Sequence, residues 1–218
     1  FRQAQRRLMP LSAELKTRLA SAAVLFTVVI TMTLWSLESF TVLCILGGII
    51  LLKEWYGLVT HRNPAWMLLG VVYIASAVGA LIYLRDTNLA ILLAVFLVVW
   101  TGDIAAYGVG KRFGRHKIAP NISPGKSWEG LAGSILASAA MAAFLGAIAP
   151  LPHAILGALF ACLGLLGDLF ESAMKRHAGV KDSGRLIPGH GGLFDRVDAL
   201  LPCVIFAAIA LAMRLHFQ

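Results

Sequence analysis

Apolar residues fill this chain in runs of about 20, the length that carries an α-helix across roughly 30 Å of hydrocarbon. Seven such runs follow one another, at 19–37, 39–59, 65–84, 88–109, 130–149, 151–171 and 197–215. The joints between them are short and hold charge, Pro and Gly. This pattern predicts an all-α, polytopic integral membrane protein with seven transmembrane helices. The first run follows an 18-residue basic stretch, lacks a small-residue cleavage site and precedes six more runs, so it reads as an anchor and not a cleaved signal peptide. The first residue is Phe1 and not Met, as expected of a piece of a longer protein with further helices upstream. The expected organisation is a basic segment at 1–18, N-terminal membrane helices at 19–109, and a C-terminal half at 110–218 that carries two basic loops.

Composition agrees with that reading. Only 14% of the 218 residues are charged, 59% are hydrophobic and the mean hydropathy is +0.80, which leaves too little polar surface for a soluble globule. Cys44, Cys162 and Cys203 lie far apart in apolar runs without metal-like spacing, so they read as buried free thiols. The net charge of +8 suggests nucleic acid until the positions are considered. Across seven alternating spans, all of the 19 Lys and Arg except Arg85 and Arg214 fall on one side. By the positive-inside rule that side is cytoplasmic, and the cations serve topology and anionic-lipid contact.

The acids change the picture. Asp103 and Asp168 lie inside apolar runs, where an ionised carboxylate costs at least a few kcal/mol unless a cation meets it, about +2.5 to +3.5 kcal/mol on insertion scales. Both fall near the cytoplasmic ends of spans that run in the same direction. Asp195 and Asp198 open the last span on that side, and their i, i+3 spacing puts both on one helical face. Either of these two alone would more often be a first-turn acid favoured by the helix dipole. Together, four carboxylates from three spans reach one level and offer only oxygen donors. That set suits a hard cation, Mg2+ above all, which keeps positions for water and substrate phosphates. Ser172 and Lys175, at i+4 and i+7 from Asp168, extend the stripe toward water, while Glu171 reads equally as a partner behind the metal ligands or as an exposed acid.

Between the last two spans, Lys175, Arg176, Lys181, Arg185 and Arg196 can bind phosphate oxygens, and Gly184, Gly189, Gly191 and Gly192 permit close backbone approach or positive φ. His190 reads as a phosphate or proton carrier, or as a structural or solvated residue, the commoner case. A second loop, 110–130, holds five cations, Ser123 in a Ser-Pro turn, and Lys126 within "GKS". A P-loop is excluded there, because Pro120 stands where its first glycine belongs and no strand is expected before it. Trp128 reads as an interfacial aromatic, with base stacking the less favoured alternative.

Residues 172–198, "SAMKRHAGVKDSGRLIPGHGGLFDRVD", resemble the signature of phosphatidate cytidylyltransferases, the CDP-diacylglycerol synthases. The correspondence runs through Ser172, Met174, Lys175-Arg176, Lys181-Asp182, Gly184, Ile187-Pro188, His190 to Leu193, Asp195-Arg196 and Asp198. The stretches "GDIAAYGVGKRFGRHKIAPNISPGKSWEG" and "LGDLFES" also resemble family elements, so the C-terminal half carries the likeness and the N-terminal helices share only its character.

The resemblance implies a homodimeric enzyme of the bacterial inner membrane with its site facing the cytoplasm. It would join CTP to phosphatidic acid, giving CDP-diacylglycerol and pyrophosphate, with Mg2+ as cofactor and a monovalent cation such as K+ alongside. It also implies metal ligation by Asp168 and Asp195. Where relatives read "SPKKTWEG" this chain reads "SPGKSWEG", so Gly125 removes one cation from that loop. The chain is shorter than most relatives by one or two N-terminal helices.

On this basis Asp168, Asp195, Lys175 and Arg176 are the expected catalytic set. Asp103, Asp182 and Asp198 are supporting metal candidates, and Ser172, Lys181, Arg196, Lys126, Ser123 and His190 are candidate phosphate contacts. A cation- or proton-coupled transporter is the first rival; it predicts acids at mid-membrane and repeated halves, whereas these acids gather toward one surface and no repeat is visible. A CDP-alcohol phosphotransferase would need its DGx2AR, Gx3D, Dx3D pattern, which is missing. CTP-dependent activation of a different lipid phosphate is the closest alternative.

Overall fold

The structure is a computed structural model that describes residues 13–59, 64–147, 150–187 and 191–216. Of the described residues 82% are helical. In chain order the helices are α1 (Ala13–Trp35), α2 (Leu37–Leu58), α3 (Pro64–Thr87), α4 (Leu89–Phe113), α5 (Trp128–Leu145), α6 (Pro150–His177), the short α7 (Phe194–Val197) and α8 (Leu200–His216). Among the described residues α3, α4, α5 and α6 are long and apolar enough to cross a membrane, and α1 and α8 hold shorter apolar stretches. Large apolar side chains such as Val42, Leu68, Ile104, Leu136 and Phe144 face outward, as expected where the surrounding medium is lipid.

Local sequence sets the helix ends. Ser36 opens α2 in a capping box with Ser39, Asn88 accepts from Ile91 N at the start of α4, and Ser127 accepts from Gly130 N at the start of α5. At their C-terminal ends α4 and α6 continue past the apolar runs, to Phe113 and His177, so that Lys111, Arg112, Lys175 and Arg176 lie in last turns. Cations are favoured there by the helix dipole, which explains why the helices outrun the hydrophobic pattern.

The all-α expectation needs one addition. Residues 117–127 form an antiparallel hairpin, β1 (Lys117–Ala119) with β2 (Ser123–Ser127). A strand therefore does precede "GKS", contrary to expectation. It is nevertheless no P-loop, because Lys126 and Ser127 lie on the second hairpin strand and the Ser127 hydroxyl is spent on capping α5. The last apolar run also differs: Asp195 lies on α7 and Asp198 at its C-terminal cap, one turn before α8 begins.

Helices α4, α5 and α6 pack most closely. Small residues permit this. A Cβ at Gly102 would strike Ser138 and Ser134, and one at Gly157 would strike the Ser138 carbonyl. The Ser138 hydroxyl, fully buried, donates to Val98 O at 3.1 Å across the α4–α5 contact. A second packing centre joins α2, α3 and α8 around Phe40, Trp55, Leu58, Ile74 and Leu84. Trp55 also stacks on Phe170 of α6 and tilts against Phe194 of α7, with ring centroids 5.9 and 6.0 Å away, so α2 holds the base of the loop between α6 and α8.

Candidate active site

The close packing of α4 to α6 leaves a cavity of about 730 Å3 at the end of the bundle where the hairpin and α7 lie. Asp103 of α4, Asp168 of α6, Asp195 of α7 and Asp198 line it with Lys126 of β2 and Arg196, and Lys111 and Lys117 extend its cationic rim. Deeper in, the walls turn apolar with Val99, Leu131, Phe160 and Leu165. The four carboxylates singled out by the sequence thus share one pocket with two of the candidate phosphate contacts.

Asp168, Asp195 and Asp198 have bonded partners. Asp168 forms an ion pair with Lys126 and interacts with Asp198. Lys175, one turn beyond Glu171 on α6, bridges Glu171 and Asp195, its ammonium 2.6 Å from Asp195 Oδ1. Asp195 Oδ2 accepts from Ser183 N at 2.9 Å, Ser183 Oγ at 2.9 Å and Gly192 N at 2.8 Å. Burial pushes the Asp195 pKa up, but the bonds donated by Lys175, Gly192 and Ser183 outweigh it and hold the group at about 2, against an ordinary 3.8. Oδ2 is therefore committed to the loop, and Oδ1 is the oxygen that can exchange Lys175 for another cation.

Glu171 resolves the alternatives left by the sequence: it is 1% exposed, and its Oε1 is a buried oxygen without a hydrogen-bond partner. An orphaned buried acceptor costs about 1–3 kcal/mol, and a cation brought to it would remove that cost. Five carboxylates, those of Asp103, Asp168, Glu171, Asp195 and Asp198, gather here, and the ammonium groups bonded to them are those of Lys126 and Lys175. By donor chemistry the set fits a hard divalent ion. Among the described residues no three of His, Cys, Asp or Glu are already arranged around a metal position. Binding would require Lys126 and Lys175 to give up their carboxylates.

The other expected residues lie around this core. Arg176 reaches from the end of α6 to the hairpin, its Nε donating to Ile122 O at 3.2 Å. Lys181 and Asp182 are exposed on the loop, while Ser172 and Ser123 are half-buried; none of the four lines the cavity. His190 and Gly189 lie outside the described residues, as does the N-terminal basic segment through residue 12. Gly191 does adopt positive φ, at 84°, and Trp128, 58% exposed at the start of α5, fits the interfacial reading.

One site residue escaped the sequence reading. Glu54 of α2 is 8% exposed, accepts from Leu193 N and Phe194 N, and lies 3.2 Å from the Ser183 hydroxyl, whose one proton it shares with Asp195. Its signal was available, since an acid beside Trp55 near the end of an apolar run meets the same criterion that singled out Asp103.

A model of the cytidylyltransferase family matches residues 59–214. A Rickettsia felis protein named phosphatidate cytidylyltransferase is 34% identical over 209 residues, covering 88% of this chain and 91% of the relative. A Bacillus subtilis protein of the same name is 38% identical over 182 residues, 80% of this chain and 66% of the relative. For a Mycobacterium bovis protein of that name the identity is 43% over 139 residues, and the match covers 62% of this chain and only 45% of the relative. The chain thus spans under half the length of the mycobacterial relative but nearly all of the rickettsial one. With residues 59–214 matched by the family model and the rickettsial relative matched over nearly all of its length, the chain belongs to the cytidylyltransferase family.

Proposed function

We propose that the chain transfers the cytidylyl group of CTP to phosphatidic acid, forming CDP-diacylglycerol and pyrophosphate for phospholipid biosynthesis. The observation that carries this reading is the single cavity in which Asp103, Asp168, Asp195 and Asp198 meet Lys126 and Arg196 above an apolar slot between helices. Such a cavity suits one lipid and one polyphosphate.

The chemistry asks little of a general base. A lipid phosphate monoester is already anionic at neutral pH. One of its oxygens bonds to the α-phosphorus of CTP while the bond from that phosphorus to the β-phosphate oxygen breaks, and pyrophosphate leaves with the electron pair. The difficulty is to bring two polyanions together in line. Lys126 and Arg196, which line the cavity, would take up phosphate oxygens, joined by Lys175 once it leaves its acids, and Lys111 and Lys117 would draw CTP to the rim. Asp168 and Asp195, through Oδ1, are the proposed ligands of Mg2+, supported by Asp103, Asp198 and Glu171; exposed Asp182 is left out of the set. When bound, Mg2+ would supply neutralisation of phosphate charge and alignment of the leaving group. A monovalent cation such as K+ beside it, and a homodimeric state, are proposed on the family resemblance alone.

The same reading takes α1 to α6 and α8 as seven spans of a bacterial inner membrane, with the cavity on the cytoplasmic face. Its support is the one-sided distribution of Lys and Arg. Phosphatidic acid carries its phosphate at the depth of these acids, and CTP arrives from the cytosol. The test is purified protein in vesicles given labelled CTP and Mg2+ with phosphatidic acid, or with an isoprenoid phosphate in a parallel arm. Label should enter CDP-diacylglycerol in the first arm. Product in the second arm only would replace this reading with activation of a different lipid.

A further inference from the structure

Helix α7 begins without a cap of its own. Leu193 stands at its N-cap position and makes no side-chain bond to the first turn. The N–H groups of Leu193 and Phe194 instead donate to Glu54, 2.9 Å to Oε1 and 2.7 Å to Oε2, from a helix 139 residues earlier in the chain. Ser183 Oγ lies 3.2 Å from Glu54 Oε2 and 2.9 Å from Asp195 Oδ2, so one hydroxyl sits between the two carboxylates. The backbone is shaped around Glu54 as well. A Cβ at Gly184 would come within 2.6 Å of Oε1, and one at Gly192 would strike Ser183 Oγ first and come within 2.7 Å of both Glu54 oxygens. Neighbouring Trp55 packs on Phe170 and Phe194, fixing the helix that delivers the carboxylate.

These contacts form a relay of position. Glu54 holds Ser183, Leu193 and Phe194, while Ser183 and Gly192 hold Asp195 Oδ2, which leaves Oδ1 turned to Lys175. Glu54 precedes the 59–214 stretch that matches the family model, so this helix adds a group from outside the matched region. We propose that Glu54 is a positioning residue of the acid pocket, which fixes Ser183, Leu193 and Phe194 so that Asp195 Oδ1 is presented to the cation. The role in turnover rests on the cytidylyl-transfer reading; the role in loop geometry does not.

The test compares wild type with Glu54→Gln, Gly192→Ala and, as a control at the exposed neighbouring position, Lys53→Ala. An amide keeps the shape of Glu54 but offers one acceptor oxygen where two are used. Partners one layer behind a metal ligand typically change activity or metal affinity by about 10–100-fold, and both Glu54→Gln and Gly192→Ala should lower kcat and raise the Mg2+ requirement on that scale. KM for CTP should stay within about threefold, because on this assignment Glu54 touches no substrate. Hydrogen exchange at 183–187 and 191–194 should quicken in both variants, with exchange in α4 to α6 unchanged and Lys53→Ala like wild type. Wild-type exchange in the loop, or unchanged kcat and Mg2+ requirement with faster exchange, would overturn the proposal. If wild type makes no CDP-diacylglycerol, the functional reading fails and the exchange measurement still decides what Glu54 does. If Glu54→Gln does not fold, Gly192→Ala, which leaves the Glu54 charge in place, decides it.

Discussion

The Lys175 ammonium lies 2.6 Å from Asp195 Oδ1 and also pairs with Glu171, so one cation from α6 joins a carboxylate of its own helix to one on α7. The three side chains are 12%, 6% and 1% exposed, respectively. Removing the cation would leave two buried acids without their shared partner, and breaking a buried pair in this way costs about 3–5 kcal/mol. Lys175→Ala should therefore lower the thermal unfolding midpoint in detergent. Turnover should fall at least ~100-fold, since a misplaced ligand alone can cost that much. Thermal scans and initial rates check both.

Metal dependence follows from the acid excess. Chelator treatment should abolish turnover, and Mg2+ should restore it. Asp168→Asn and Asp195→Asn should remain folded in detergent but recover no activity at any Mg2+ concentration. Recovery by either variant at saturating Mg2+ would remove that residue from the ligand set.

Gly125 offers a gain-of-function test. It lines the cavity, and a Cβ there would meet nothing within 4 Å. Gly125→Lys restores the cation that the family pattern carries and should lower KM for CTP. The effect should be at most ~5-fold, the worth of one solvent-accessible ion pair, and should fade with added salt. An unchanged KM at low ionic strength would separate this hairpin position from CTP.

The low pKa of Asp195 has a direct consequence for acid stability. Because the folded value, about 2, lies below the ordinary 3.8, ionised Asp195 stabilises the fold above roughly pH 4. That contribution, roughly 2 kcal/mol for a shift of this size, is lost as pH falls through about 2. Unfolding midpoints measured from pH 5 to pH 2 should fall more steeply for wild type than for Asp195→Asn. Parallel curves would contradict the assigned bonding.

Much of this site was legible because membrane energetics make charge conspicuous. Asp103 and Asp168 stood out as acids in apolar runs, and the signature around Asp195 and Asp198 lay beside them; all four line one cavity. The pairing was not legible. Nothing in the spacing indicated that Lys126, 42 residues away, meets Asp168, because that contact depends on a hairpin folding back over the helix ends. The hairpin itself was hidden in a loop too polar and too short for a period-two pattern to register. The partners of Glu54 were hidden for a related reason: Ser183, Leu193 and Phe194 lie 129 to 140 residues further along the chain, beyond any local spacing.

The most direct measurement is a label-tracing assay with CTP carrying the label at either the α- or the γ-phosphorus, in vesicles of phosphatidic acid with Mg2+. Wild type should move α-label into lipid and γ-label into pyrophosphate in equal amounts, and Asp195→Asn should move neither. Wild type that leaves the α-label in water-soluble products, or Asp195→Asn that transfers it at the wild-type rate, would contradict the proposed chemistry and the site built for it.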